Sequence, residues 1–292
     1  QQIKSVLDNL SKYMKKLNIQ LLVGGVSRQK DEECINKNVP HILVGCPGRI
    51  YDIFNRKLIN AENIKLIIID EADELLSYGF KEQIHNIFNF LSNNIQIALF
   101  SATIPNDLYY LINKIMNDPI TISVKSEMLT LDGIKQYYVN LNTDNDKYLT
   151  LKDLFSTFSV AQCIIYCNTV KRVSDLYNLM INDNFSVCQI HSNLDKEDRI
   201  KNYNEFKNGN QRVLISSNVT ARGIDVQQVG TVINYDIPKN KETYIHRIGR
   251  SGRWGRKGVA INFITKKDVI LLKDIENFYS TEISELPNNY VN

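Results

Sequence analysis

No stretch of the 292 residues approaches the ~20 apolar residues that a membrane-spanning helix needs. The opening Gln1-Gln2-Ile3 lacks the positive-then-apolar layout of a secretory signal. Cysteine is sparse: Cys34, Cys46, Cys163, Cys167 and Cys188 are odd in number and scattered. That spacing excludes a regular disulfide framework and fits buried thiols in a reducing compartment, so the expected location is intracellular, cytoplasmic or nuclear. Cys163 and Cys167 would share one face of a strand, but two further ligands are not beside them, which argues against a metal centre. Net charge is only +3, so the chain is not broadly basic. There is no internal repeat and no low-complexity segment. None of the thirteen glycines is followed by lysine, so the phosphate-cradling pattern G-x-x-x-x-G-K-[ST] does not occur.

What is present is more specific. Residues 67 to 76 read I-I-I-D-E-A-D-E-L-L. The apolar β-branched run reads as a strand of a buried parallel sheet. Asp70 and Glu71 stand at its carboxyl end, where open α/β sheets bind ligands. One such carboxylate can hold magnesium, and the next can orient or deprotonate a water for attack on a phosphate. A solvated strand end is the competing reading. Positive charge is local: Arg247, Arg250, Arg253, Arg256 and Lys257 fall within eleven residues with no acid among them. Glycines alternate with these arginines, and His246 and Trp254 share the stretch, a composition suited to phosphate recognition.

Apolar runs at 19–23, 41–44, 66–69 and 95–100 read as strands, and 6–17 and 83–91 carry helical spacing. A short β-prone run follows at 120–124. Such alternation implies a parallel sheet with crossover helices. Residues 125–133 have no clear period and read as a short linker. The pattern restarts with strands at 136–141, 163–166, 187–190, 213–215, 231–234 and 259–264. Helices are expected from Thr150, over 173–179 and over 196–206. The expected architecture is α/β: a first lobe at 1–124, a linker at 125–133 and a second lobe at 134–292.

Four motifs then appear in order: D-E-A-D at 70–73; Ser101-Ala102-Thr103, 28 residues after Asp73; Ala221-Arg222-Gly223-Ile224-Asp225; and His246-Arg247-Ile248-Gly249-Arg250-Ser251-Gly252-Arg253. In this order the set resembles the DEAD-box RNA helicases over essentially the whole chain. The stretch 231–263 is especially similar to the subgroup of translation initiation factor 4A and its nuclear exon-junction paralogue. The resemblance implies two RecA-like lobes with parallel sheets flanked by helices. It implies RNA-stimulated ATP hydrolysis coupled to local duplex unwinding or RNA clamping, with ATP and magnesium as cofactors. The partners it implies are single-stranded or structured RNA, bound without sequence preference, and protein regulators that bridge the two lobes. A non-hydrolysing RNA-binding scaffold derived from a helicase is the alternative; Asp70, Glu71, Arg247 and Arg250 favour the enzyme, because a scaffold has no need of them.

The resemblance also assigns roles. Asp70 would contact magnesium through water, and Glu71 would orient the attacking water. Asp73 would tie to the S-A-T segment; a helix N-terminal carboxylate is its other reading. Ser101 and Thr103 serve either as turn caps or as coupling residues, and His246 belongs with that coupling set. Arg247 and Arg250, three apart on one helical face, would act as arginine fingers, with a salt bridge to Asp225 or Glu242 as the alternative. Asp225 and Gly223 resemble nucleotide-binding positions. For RNA the candidates are Gly24, Gly25, Pro47, Gly48, Arg49, Asn168, Thr169, Arg199 and Ser217. Departures are visible: Cys46 replaces threonine in T-P-G-R, Ser216-Ser217-Asn218 stands for S-T-D, and Lys196 replaces the glutamine three before Arg199. Pro47-Gly48 also reads as an ordinary turn. The family needs the phosphate loop that is missing here, so the first lobe is expected to be incomplete and the chain amino-truncated and inactive alone. The run 95–100 would then be an apolar edge strand. Residues 279–287 resemble the family's final helix and tail.

Overall fold

The computed structural model describes residues 1–77, 79–123, 133–157, 162–218, 229–252 and 257–287. Its contacts divide the chain into two units, Gln1–Thr121 and Ile122–Asn292. The expected linker, 125–133, lies outside the described residues except for Gly133.

The first unit holds α1 (Gln2–Leu10), β1 (Ile19–Leu22), α2 (Arg28–Lys37), β2 (Ile42–Gly45) and α3 (Pro47–Asn55). A 3-10 turn follows at Ala61–Asn63, then β3 (Leu66–Ile69), α4 (Ala72–Ser77), α5 (Lys81–Phe88), β4 (Gln96–Leu99) and α6 (Asn106–Ile115). Its strands form two separate parallel pairs, β1 with β2 and β3 with β4. Ile69 of β3 packs with Ala72, Ile84, Leu108 and Leu111, so α4, α5 and α6 cover one face of that pair. The opposite face carries Leu66 and Ile68, which are 46% and 59% exposed. Parallel strands are normally covered on both faces, so this pair is half-dressed among the described residues.

The second unit holds β5 (Ile134–Leu141), α7 (Asp146–Thr157), β6 (Cys163–Tyr166), α8 (Val170–Asn182), β7 (Val187–Ile190) and α9 (Lys196–Lys207). It continues with β8 (Val213–Ser216), β9 (Thr231–Asn234), α10 (Lys241–Ile248), β10 (Gly258–Thr265), α11 (Val269–Tyr279) and β11 (Ser284–Glu285). These strands form one seven-stranded sheet in the order β11-β5-β10-β9-β6-β8-β7, and every pairing is parallel. Strand β6 shows why its sequence is an unbroken apolar run. Cys163 and Ile165 enter the core with Leu151, Val173 and Leu176 of α7 and α8. Ile164 and Tyr166 enter the opposite core with Phe206 of α9. Both faces of the strand are dry, so polar alternation has no place in it.

The architecture is therefore α/β with parallel sheets flanked by helices, and the first unit has the smaller sheets. Three expectations need correction. The helix expected over 6–17 runs instead over Gln2–Leu10. Beyond it Tyr13 and Met14 are 87% and 61% exposed, so no packing extends the helix, and a short helix owes its stability to packing. The described part of the 120–124 run forms no strand: Ile120 and Ile122 are 93% and 95% exposed, and no strand among the described residues pairs with them. The last helix ends at Tyr279, where Ser280 takes a left-handed φ of 47°, so 279–287 is its end and a short edge strand rather than a helix.

Candidate active site and nucleic-acid interface

Strands β3 and β4 pair in register from Leu66 with Gln96 to Ile69 with Leu99. Their carboxyl ends therefore deliver D-E-A-D and S-A-T side by side. The Phe100 N–H donates to the Ile69 carbonyl at 2.8 Å, and the Ala72 N–H donates to the Phe100 carbonyl at 3.1 Å. The chain leaves β3 through a tight bend in which Glu71 has φ +51°. A left-handed glutamate is strained, and such strain persists where surrounding contacts over-determine it. Asp70 Oδ1 accepts from the Glu71 N–H at 3.0 Å, which stabilises the bend and leaves the exposed Asp70 carboxylate facing outward.

Asp73 is 3% exposed and sits at the hub of a closed polar knot. Its N–H donates to Ser101 Oγ at 3.1 Å, and that hydroxyl donates to the Thr103 carbonyl at 2.8 Å. Thr103 Oγ1 donates back to Asp73 Oδ2 at 2.7 Å. Asp73 Oδ1 also accepts from the Glu74 N–H at 3.0 Å, in the first turn of α4. Asp73 is thus both the helix-terminal carboxylate and the partner of the S-A-T segment. The knot makes the two strand ends one rigid piece.

The β1–β2 pair delivers the next group. Gly24 and Gly25 follow β1 and are exposed, and Gly25 has φ +78°. Gly45 closes β2, and a Cβ there would lie 2.7 Å from the Leu22 carbonyl, so only glycine fits. Pro47 opens α3, with Cys46 as an N-cap whose side chain makes no capping bond. The missing threonine hydroxyl is thus a missing cap. Gly48 is exposed beside it. Arg49, on α3, is mostly covered. Its guanidinium turns inward, donates to the Val26 carbonyl and makes a 3.0 Å ion-pair contact with Asp31 that lacks hydrogen-bond alignment. It clamps the glycine turn against α3 rather than presenting its charge outward.

In the second unit the strand ends gather a larger set. Thr169 caps α8, its Oγ1 accepting from the Arg172 N–H at 3.2 Å. Ser217 follows β8 with a buried hydroxyl lacking a hydrogen-bond partner among the described residues; His191, after β7, has a buried Nδ1 in the same condition. Burial holds the His191 pKa below its ordinary 6.5. Arg199 lies on α9, half-buried, with its Nε buried and without a hydrogen-bond partner among the described residues. His246 is buried on α10. Arg250 is a correction: α10 stops at Ile248, so Arg247 and Arg250 do not share a helical face. Arg250 sits in the turn beyond, 7% exposed, its Nε donating to the His246 carbonyl at 3.2 Å. Gly223 and Asp225 lie outside the described residues, as do Arg253, Trp254 and Arg256.

Arg247 is wholly buried and makes no ion pair with a carboxylate among the described residues. It donates to the side-chain oxygens of Asn168, Asn218 and Asn234 and to the Asp236 carbonyl. Burial lowers its pKa to about 10, against the opposing pull of Tyr166, Cys167 and Asp236. Beside it lies a network the sequence did not disclose. The Asp236 carboxylate accepts from Lys147 Nζ at 3.0 Å, Arg172 Nε at 3.0 Å and the Asn168 N–H at 3.1 Å. Asp144 meets the same two cations, and its pKa falls: burial opposes the fall, but bonds from Arg172 and Lys147 outweigh it. The available signals were modest: an aspartate two residues past β9, and asparagines at paired positions, Asn234 and Asn262, inside two largely apolar strands.

The fit to magnesium and a triphosphate is divided. Among the described residues no group of three or more His, Cys, Asp or Glu side chains could hold a metal alone. A lone exposed carboxylate such as Asp70 still suits magnesium, which keeps several waters and takes one or two carboxylates plus phosphate oxygens. The phosphate-cradling loop is not among these 292 residues.

Two parallel-sheet units, with a carboxylate pair at the strand ends of one and a buried-arginine centre in the other, define a two-unit α/β protein built for phosphate chemistry. Residues 1–111 match the DEAD/DEAH box helicase family, and residues 146–255 match the helicase conserved C-terminal domain. The chain is 48% identical over 288 residues to ATP-dependent RNA helicase eIF4A of Kluyveromyces lactis, covering 99% of this chain and 72% of the relative. It is 49% identical to eukaryotic initiation factor 4A of Drosophila melanogaster, over 99% of this chain and 71% of that one. Among solved structures, S. cerevisiae Dbp5 bound to RNA and ADP BeF3 superposes with a TM-score of 0.87 at 32% identity, over 98% of this chain and 74% of that one. The chain belongs to the DEAD/DEAH box helicase family.

Proposed function

We propose a division of labour between the two units within an established chemistry. The protein is an ATP-dependent RNA helicase of the DEAD-box class. Its relatives are named as initiation factors, and translation initiation is the process we assign to it. Residues 1–124 form the first helicase lobe, 125–133 the linker and 134–292 the second lobe.

The knot of Asp73, Ser101 and Thr103 carries this reading. It welds the carboxylates at one strand end to the neighbouring strand end, so a shift of either segment moves both. Glu71 orients and deprotonates the attacking water, and Asp70 holds magnesium through water. Arg250 and Arg247 face the phosphate, and Gly223 and Asp225 hold the nucleotide. When bound, magnesium ATP supplies the scissile anhydride and a neutralising charge. Gly24, Gly25, Pro47, Gly48, Asn168, Thr169, Arg199 and Ser217 meet the RNA backbone. Such contacts carry no base information, so binding is independent of sequence. Arg49 supports the Gly24-Gly25 turn from behind. Regulators bridging the two lobes act by changing how these sets work together. Three buried thiols, Cys163, Cys167 and Cys188, and no disulfide suit a reducing intracellular setting. No helix among the described residues is long and apolar enough to cross a membrane.

The test is Glu71→Gln in the chain extended by the upstream segment of its relatives. Hydrolysis should fall at least about 100-fold, within the range general acid–base catalysis contributes. RNA binding in the presence of ATP should persist. Turnover at the wild-type rate would refute the role given to Glu71.

A further inference from the structure

Arg247 has five N–H groups, and each is used. Nε donates to Asn218 Oδ1 at 3.0 Å. Nη1 donates to Asn234 Oδ1 at 3.2 Å and to the Asp236 carbonyl at 2.8 Å. Nη2 donates to Asn168 Oδ1 at 2.8 Å and again to Asn218 Oδ1. The Tyr166 ring lies 5.1 Å from the guanidinium carbon. A guanidinium in this state has no N–H left for a phosphate oxygen. For Arg247 to act on a phosphate, one of its present partners must let go.

The partners are not equally able to do so. Asn234 is buried in the sheet, and its amide donates to Asn262 Oδ1 at 2.8 Å. Asn262 in turn donates to the Tyr137 carbonyl at 2.9 Å and the Tyr244 hydroxyl at 3.2 Å. Asn168 is held from two sides: its Nδ2 donates to the Ile237 carbonyl at 2.8 Å, and its N–H donates to Asp236. The Asp236 carbonyl belongs to the main chain just past β9. Asn218 is different. It lies beyond the end of β8, it is exposed, and it alone holds two of the five N–H groups. Its oxygen, like those of the other acceptors, is neutral. Hydrogen bonds to an ionised acceptor are roughly twice as strong as neutral ones, so an amide holds the cation more loosely than a carboxylate would.

We propose that Asn218 is the catch that holds Arg247 in its buried cage, and that it positions Arg247 rather than touching substrate. Release of Asn218 frees two N–H groups on the exposed side while the inner wall keeps the guanidinium in place. The proposal rests on the reading of Arg247 as a phosphate-facing residue.

The experiment uses the full chain with arginine side chains labelled with nitrogen-15, and inorganic phosphate as the probe. Three proteins are compared: wild type, Asn218→Ala and Asn218→Asp. In Asn218→Ala the Arg247 Nε–H should exchange with solvent about tenfold faster. Phosphate should shift its resonance at about a tenfold lower concentration, equivalent to ~1.4 kcal/mol, although the second unit melts at lower temperature. In Asn218→Asp the second unit should melt higher, exchange should slow and phosphate should be needed at higher concentration. The alanine arm decides, because it adds no charge that could repel the probe. A merely structural asparagine would move stability and phosphate response in the same direction. Unchanged exchange in Asn218→Ala overturns the catch. Faster exchange with an unchanged phosphate response also overturns it, leaving Arg247 as a strut. If Arg247→Lys in the extended chain hydrolyses ATP at the wild-type rate, the reading of Arg247 itself fails, independently of Asn218.

Discussion

Replacement of Asp236 by asparagine should be the most damaging single-atom change in the second unit. The Asp236 side chain is 12% exposed and the Lys147 side chain 4%. Asp236 accepts from Lys147, Arg172 and the Asn168 N–H at 3.0 to 3.1 Å. Both cations also lie over the Tyr235 ring, at 5.6 and 5.2 Å. Asparagine keeps one acceptor oxygen and loses the charge. Lys147 and Arg172 must then share Asp144, whose side chain is 51% exposed. Breaking a buried ion pair by removing one partner costs about 3–5 kcal/mol. The surviving oxygen argues for the lower end, about 3 kcal/mol. For a unit of this size each kcal/mol lowers Tm by about 2–4 °C, so the expected fall is about 6–12 °C. Calorimetry measures it, with hydrogen exchange in β9 and β10 assigning the transition to the second unit. Lys152→Met is the control. It breaks the Lys152–Asp183 pair, whose side chains are 40% and 38% exposed, and should leave Tm nearly unchanged. The double variant Lys147→Met, Asp236→Asn should cost less than the two singles summed, since they share one interaction. An Asp236→Asn protein that melts within about 2 °C of wild type would refute the argument, because it would show the pair breaking even against its desolvation.

Three further outcomes are expected. Thr103→Val removes the hydroxyl donated to Asp73 Oδ2 and should cost about 1.5–3 kcal/mol, read as a lower Tm of the first unit and faster exchange at the α4 amides. His191 is held below its ordinary pKa of 6.5 by burial, so the unfolded chain takes up the proton first. Stability of the second unit should therefore fall as pH drops below 6.5 toward the folded pKa, and Tm of His191→Gln across pH 7.5 to 5 should fall less steeply than wild type. RNA binding should weaken steeply with salt and vary less than about tenfold, ~1.4 kcal/mol, among homopolymers; a larger preference in a titration would contradict backbone-only contact.

Strands at the centre of the second unit were legible because parallel strands buried on two faces favour unbroken apolar runs, and 163–166 is such a run. Helix ends were less legible. The spacing that suggested a helix to residue 17 is real, but spacing does not guarantee that something lies opposite. The tie of Asp73 to the S-A-T segment was implied by the family resemblance, and its hydrogen bonds are present. The second-unit network was not legible. Lys147, Arg172 and Asp236 are ordinary surface residue types, separated by up to 89 positions, and only the fold brings them together.

Arg247 shows why motif reading stops where it does. An arginine in a glycine-rich basic stretch reads equally as a phosphate ligand or as a buried strut, since both uses exploit the same fixed fork of donors. The sequence identifies the fork. It does not say which acceptors fill it, because those come from β6, β8 and β9 ends scattered from Asn168 to Asp236. Here the acceptors are three amides and a peptide carbonyl, and the choice has a consequence for function. A carboxylate in that ring would lock a buried cation by charge. Neutral oxygens satisfy the same N–H groups with a weaker hold, so the desolvation cost of the arginine is met while the barrier to moving it stays low. A residue that must both survive burial and change partners is best served by such a cage.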